Sequence, residues 1–291
     1  MTKMPKHTQP KRLLLATDLS PRGDRALERA IELAGHWRAE LHVVNALENE
    51  LLPEPYIKRE IAARQSEAKA MLAMATKRSG TKTAVHIPVG AAANAVIETA
   101  RAIRAGLVIM APAGHTTLST VVLGSTVERV LRHADQPVLV VKQRCQGAYR
   151  SIVVAVDLSD NSALALRQAL RLFPDARFTV VHAFETPFSA FAAAGAVEAE
   201  VRALHNKEVA ALVARESAGA KRGAKPAKIR LVIEKGRADD VLAREMEVGQ
   251  TDLVVLGTHG LTGVRRAVIG STAERLIETL PCDVLAVRPH G

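Results

Sequence analysis

Aromatic residues are scarce: one Trp, two Tyr and five Phe in 291 residues. The core must therefore be built from Val, Leu, Ile and Ala, which suits buried parallel strands beneath small-residue helices. Cysteine is nearly absent. Cys145 and Cys282 have no metal-ligand spacing, so they read as free thiols in a reducing compartment rather than a disulfide framework or zinc site. No apolar run is long enough to span a bilayer. The basic start over residues 1–6 is not followed by the apolar segment of a secretion signal, so the expectation is a cytoplasmic protein. Two common nucleotide signatures are also missing. No G-x-x-x-x-G-K-[ST] string occurs, and the place after the first strand, where G-x-G-x-x-G would stand, holds Asp-Leu-Ser.

Acidic residues are outnumbered by basic ones, for a formal net charge of +10. The densest basic cluster is Lys221, Arg222, Lys225, Lys228 and Arg230, in a loop with Gly and Pro. It has no interleaved aromatics, no zinc spacing and no helix-turn-helix pattern. A solvated loop is the simpler reading, and nucleic acid is not an expected partner.

What is present is a duplication. Residues 13–20, Leu-Leu-Leu-Ala-Thr-Asp-Leu-Ser, return at 152–159 as Ile-Val-Val-Ala-Val-Asp-Leu-Ser. Val138-Leu139-Val140-Val141 matches Val284-Leu285-Ala286-Val287. The offset is 139 residues from Asp18 to Asp157 and 146 from Gly124 to Gly270, which means two copies with a loop insertion between those points. A repeat of this length is a whole domain, so the expected domains are 1–145 and 146–291.

Each copy alternates strand and helix. In the first, strands are expected over 12–17, 40–45, 84–89, 107–111 and 137–141. In the second, they are expected over 150–156, 177–182, 228–234, 252–256 and 283–287. Ser20 with Pro21 reads as a helix start, Gly35 as its end, and Ser159 or Asp160 as the matching start. This alternation implies α/β domains with open parallel sheets and helices on both faces. Ligands of such sheets bind at the carboxyl ends of the strands.

The chemistry concentrates after the fourth strand of the second copy. Gly257-Thr258-His259-Gly260, nine further residues and Gly270-Ser271 give G-x-x-G-x9-G-[ST], followed by a helix pattern. Glycines let the backbone approach a ligand, and a helix start offers free N–H groups and partial positive charge, which together hold phosphates. Arg265 and Arg266 add charge between the glycines. The first copy retains Asp18, Gly114, Gly124, Ser125 and Thr126. It has Ala111 in place of the first glycine and Pro112, which lacks an N–H, in place of Thr258. The aspartates also read as turn residues that cap the next helix. His115 and His259 read as loop residues, and His42 and His182 as packing residues.

The set of Asp-x-Ser after strand 1, G-x-x-G-x9-G-[ST] after strand 4 and a terminal P-V-L-V-V strand resembles the universal stress protein family, twice over nearly the whole chain. The resemblance implies five-stranded sheets of order 3-2-1-4-5, the two copies packed as a pseudo-twofold pair, and ATP binding where the glycine motif is complete. Carried onto this chain, it implies that Ala155, Asp157 and Ala183 meet the adenine or ribose. Leu256, Gly257 and Gly260 would lie along ribose and phosphates, and Gly270, Ser271 and Thr272 would hold the phosphates. The ligand expected is ATP, alone or with Mg, in a regulatory protein of stress response or survival. A slow ATP-hydrolysing enzyme and a scaffold without nucleotide remain as alternatives. The family's last strand pairs across a dimer, which implies that Val138–Val141 meets Val284–Val287 within this chain and leaves a further homodimer open.

Overall fold

The computed structural model describes residues 9–48, 53–77, 79–115, 121–185, 194–218, 228–258 and 269–289. The chain divides into two compact units. One holds residues 9–148 and 277–286, and the other holds 149–276 and 287–289. The unit boundary therefore does not follow the sequence repeat, because 277–286 groups with the first copy.

In the first unit, β1 (Arg12–Ala16), β2 (Glu40–Val44), β3 (Thr83–His86) and β4 (Leu107–Met110) form parallel pairs. Two-residue strands β5 (Gly114–His115) and β6 (Val121–Val122) pair antiparallel apart from that sheet. β7 (Val138–Val140) then lies parallel to β4. The order is thus β3-β2-β1-β4-β7, the expected 3-2-1-4-5. Continuous apolar runs explain the placement: Leu13, Leu14, Leu15, Leu107, Val108 and Ile109 are completely buried, as strands covered on both faces must be. Helices α1 (Asp24–Trp37), α2 (Glu54–Thr76), α3 (Ala92–Ala102) and α4 (Ser125–His133) connect them. α1 buries a stripe of Ala26, Leu27, Ala30, Leu33 and Ala34, whose small side chains let it lie close to the strands.

The second unit carries β8 (Ser151–Ala155), β9 (Arg177–Phe184), β10 (Lys228–Lys235) and β11 (Leu253–Gly257), all parallel, in the order β10-β9-β8-β11. Its helices are α5 (Asp160–Leu172), α6 (Ala194–Ser217), α7 (Ala238–Val248) and, up to residue 276, α8 (Ser271–Thr279). The final strand, β12 (Asp283–Val287), belongs to the first unit up to residue 286, where Val284, Leu285 and Ala286 pair antiparallel with Val140, Leu139 and Val138.

Two local expectations are corrected. Ser20 does not cap a helix: residues 21–23 form one 3-10 turn, the Ser20 side chain makes no cap bond, and α1 begins at Asp24. Its counterpart Ser159 does cap α5, accepting from the Ser162 N–H at 3.2 Å. Gly35 lies inside α1. The left-handed residue that ends this helix is Arg38, at φ 54°, with its N–H turned back to the carbonyls of Ala34 and Gly35.

Candidate functional site

Strand β8 ends beside β11, so the Asp-Leu-Ser turn of the second copy and the segment after β11 share one end of the sheet. In that turn, Leu158 takes the left-handed conformation (φ 66°) that leucine avoids. Asp157 stabilises it: its Oδ1 accepts from the Ser159 N–H at 3.0 Å and from the Ser159 hydroxyl at 2.5 Å. The turn part of that reading is correct, but the residue that caps α5 is Ser159 and not Asp157. The turn does not exhaust Asp157, because a carboxylate has about four lone-pair sites.

A cavity of about 320 Å³ opens here. Its walls include Ala155, Asp157, Ala183, Leu256, Gly257, Gly270, Ser271 and Thr272, so every second-copy residue expected at the site that lies among the described residues converges. Gly260, His259, Arg265 and Arg266 lie outside the described residues. Val181, Leu242 and Leu276 give the cavity an apolar side. The first helical bond of α8 runs from the Glu274 N–H to Gly270 O at 3.0 Å, so the N–H groups of Ser271, Thr272 and Ala273 have no intrahelical acceptor. Hydroxyls, free N–H groups and the positive end of α8 thus face an apolar wall across the cavity, an arrangement that fits a ring-bearing anion.

The reason for glycine at 257 is mechanical. A Cβ there would lie 3.1 Å from the carbonyl carbon of Asn161, 3.2 Å from its oxygen and 3.3 Å from its Cβ, all in the first turn of α5. Gly257→Ala is expected to push that turn outward and cost about 1–3 kcal/mol, as overpacking does, in urea unfolding of the whole chain. An unchanged midpoint would refute the steric reading. In the first copy the helix begins later, at Asp24 behind the 3-10 turn.

The first unit has a cavity of about 520 Å³, lined among others by Asp18, Gly124, Ser125 and Thr126. Leu19 repeats the left-handed leucine at φ 64°, and Asp18 Oδ1 accepts from the Ser20 N–H at 2.9 Å. Gly114 is not in the wall, because it is tied into the β5–β6 pairing. The Ala113 N–H is also spent, donating to Val122 O at 2.9 Å. Free donors on this side come from the start of α4, where the first helical bond joins the Glu128 N–H to Gly124 O. Gly124 itself needs to be glycine: its φ is +82°, and a Cβ would stand 2.7 Å from that of Ala113.

The sequence model of the universal stress protein family matches this chain twice, over residues 10–142 and 148–288. The chain belongs to the universal stress protein family. Universal stress protein E of Escherichia coli (strain K12) is 44% identical over 57 residues, which is 20% of this chain and 18% of that protein. The alignment thus spans under a fifth of the length of that curated relative. A universal stress protein structure from Archaeoglobus fulgidus DSM 4304 superposes with a TM-score of 0.70 at 20% identity, covering 97% of this chain and 99% of that one. A functionally unknown protein from Pseudomonas aeruginosa PAO1 gives 0.71 at 22% identity, covering 97% and 93%. Both likenesses carry the tandem fold.

Within that fold, several polar residues around the sites were not singled out by motif. In the first unit Arg22, Asn45, Glu48 and Arg64 line the cavity. The Asn45 amide donates to Thr17 O at 2.9 Å, and Arg64 Nη1 donates to Asn45 Oδ1 at 3.0 Å. In the second unit, His182 and His205 occupy the same place behind Val156. The signal was available, since 44–48 reads Val-Asn-Ala-Leu-Glu and 181–185 reads Val-His-Ala-Phe-Glu. That alignment sets Asn45 against His182, which is buried as a packing residue and is also hydrogen-bonded to Val156 O and His205.

Proposed function

We propose that the second-unit cavity binds an adenine nucleotide, ATP alone or with Mg, and that the protein acts as a nucleotide-responsive regulator in stress response or survival. One observation carries this reading: Ala155, Asp157, Ala183, Leu256, Gly257, Gly270, Ser271 and Thr272 line a single cavity beneath the start of α8. In this reading, the apolar wall of Val181, Ala183 and Leu242 takes the base. Asp157 accepts from the ribose hydroxyls, and the hydroxyls and N–H groups of Ser271 and Thr272 take the phosphates. The volume falls at the lower end of the range for small-molecule sites. The Asp18 cavity of the first unit, with Gly124, Ser125 and Thr126, is a second candidate with fewer loop donors. The pairing of 284–286 on 138–140 supports intrachain use of the strand edge that the family otherwise offers to a second chain.

Calorimetric titration of the purified chain with ATP tests the reading. Asp157→Ala is expected to weaken binding about tenfold, the equivalent of one lost charge-assisted hydrogen bond. Ser271→Ala with Thr272→Ala is expected to weaken it by a similar factor, and Asp18→Ala to leave this site unchanged. No ATP binding by the wild-type chain would refute the proposal. Gly257→Ala is the poorer probe, because it also displaces α5.

A further inference from the structure

Behind the second-unit cavity, two histidines form a chain that ends on the backbone of the site. His182 Nδ1 is 2.9 Å from Val156 O, and its Nε2 is 3.0 Å from His205 Nδ1. His182 is buried and projects from β9 on the face opposite Val181 and Ala183, which line the cavity. His205 comes from α6, with its ring stacked on Phe184 at 5.2 Å and its Nδ1 3.7 Å from Glu208. Val156 is the residue before Asp157, so the chain fixes the end of β8 where the site begins.

Hydrogen-bond chemistry assigns the tautomers. A carbonyl oxygen only accepts, so His182 must carry its proton on Nδ1 and present Nε2 as an acceptor. His205 must then donate through Nδ1. This arrangement accommodates one extra proton, because a doubly protonated His205 still donates from Nδ1. A second extra proton cannot be held. It would place an N–H on His182 against an N–H on His205 across 3.0 Å, with two positive rings in contact. The first unit meets the same need without a titrating pair, through Asn45 to Thr17 O and Arg64 to Asn45.

We propose that His182 and His205 are positioning residues of the second-unit site and that they make it acid-sensitive. The pair keeps its geometry with one added proton and parts with two, releasing Val156 and Asp157. The charges around it set the threshold. Burial lowers the proton affinity of His182 below the ordinary 6.5, and the Val156 carbonyl pulls the other way. His205 lowers it further, while Asp157 and Glu208 raise it. Arg202 stands over the Phe184 ring at 5.7 Å, and it and Lys235 from β10 are paired with Glu198.

The test uses the full chain and two readouts. Nitrogen-15 spectra of the imidazoles should show His182 as the Nδ1–H tautomer at about pH 7.5, titrating below the unperturbed value. An Nε2–H tautomer, or titration at the unperturbed value, overturns the proposal without reference to any ligand. The second readout rests on the nucleotide reading above. ATP affinity of the second-unit site should fall about tenfold from about pH 7.5 to about pH 5, beyond the change in the double variant His182→Asn with His205→Arg, which copies the first unit. An equal fall in that variant overturns the proposal. Absence of ATP binding at every pH removes the nucleotide reading and leaves the imidazole spectra to decide this one.

Discussion

Asp283→Ala is expected to cost the first unit about 3–5 kcal/mol, as breaking a buried ion pair does. Asp283 is 1% exposed and lies, with Lys142, Gln143 and Arg29, inside the unit of 9–148 and 277–286. Its Oδ1 accepts from the N–H groups of Lys142 at 2.8 Å and Gln143 at 2.9 Å, just beyond β7. Its Oδ2 lies 3.7 Å from Nε of Arg29, itself 4% exposed, on α1. Arg29 Nη1 reaches Gly147 O at 2.5 Å, and Glu32 stands 3.4 Å away, so the guanidinium keeps some contacts when the carboxylate goes. Alanine would strand two backbone donors and leave Glu32 as the remaining carboxylate beside the buried cation. Asp283→Asn retains an acceptor and should cost less, about 1–3 kcal/mol. The single tryptophan, Trp37 at the end of α1, reports on this unit, so urea unfolding followed by its fluorescence measures both variants. A loss under about 1 kcal/mol for the alanine variant would show that the carboxylate does not organise this end of the sheet.

The fold was legible in the sequence because its signals are local and repeated. Leu13 to Leu15 and Leu107 to Ile109 form apolar runs that only a strand covered on both faces can use, and the second copy confirmed each register. The cavity residues of the second unit were legible for the same reason: Asp157, Gly257 and Gly270 to Thr272 follow strands or open a helix. What remained hidden depends on long-range fit. Glycine at 257 reads as a ligand feature, yet a neighbouring helix turn fills the space where its Cβ would be. Gly114 carries the motif and is spent in a two-residue strand pairing. Ser20 and Ser159 end the same tripeptide, Asp-Leu-Ser, but only Ser159 caps, because Pro21 and Gly23 divert the first copy into a 3-10 turn. Arg64 and His205 come from long helices whose distance from the site no spacing rule encodes.

Lys142 gives the second large effect, and its sign runs against the usual lysine. The side chain is 4% exposed, with Nζ donating to Leu280 O at 2.6 Å. Burial pushes its pKa from 10.5 down to about 8, although Cys282, Asp283 and Glu278 pull it back up. Below about pH 8 the lysine is charged in both states, and the folded state carries the full desolvation cost. Between about 8 and 10.5 the unfolded chain holds the proton and the folded chain does not. Stability therefore rises with pH through that window, by about 3 kcal/mol in all, and the gain is complete above the unfolded value. Lys142→Met removes the titrating group. At neutral pH it should be about 1–2 kcal/mol more stable than the wild type, the relieved desolvation being partly offset by the lost bond to Leu280. Unfolding of the two proteins in urea at several pH values from neutral to about pH 10 isolates the lysine, since all other titrating groups are shared. Parallel profiles would show that Lys142 reaches water in the folded chain. A wild-type profile that starts below the flatter methionine line at neutral pH and climbs through it is the expected result, and it would mark the buried cation as a standing cost at neutral pH carried by the strand pairing beside it.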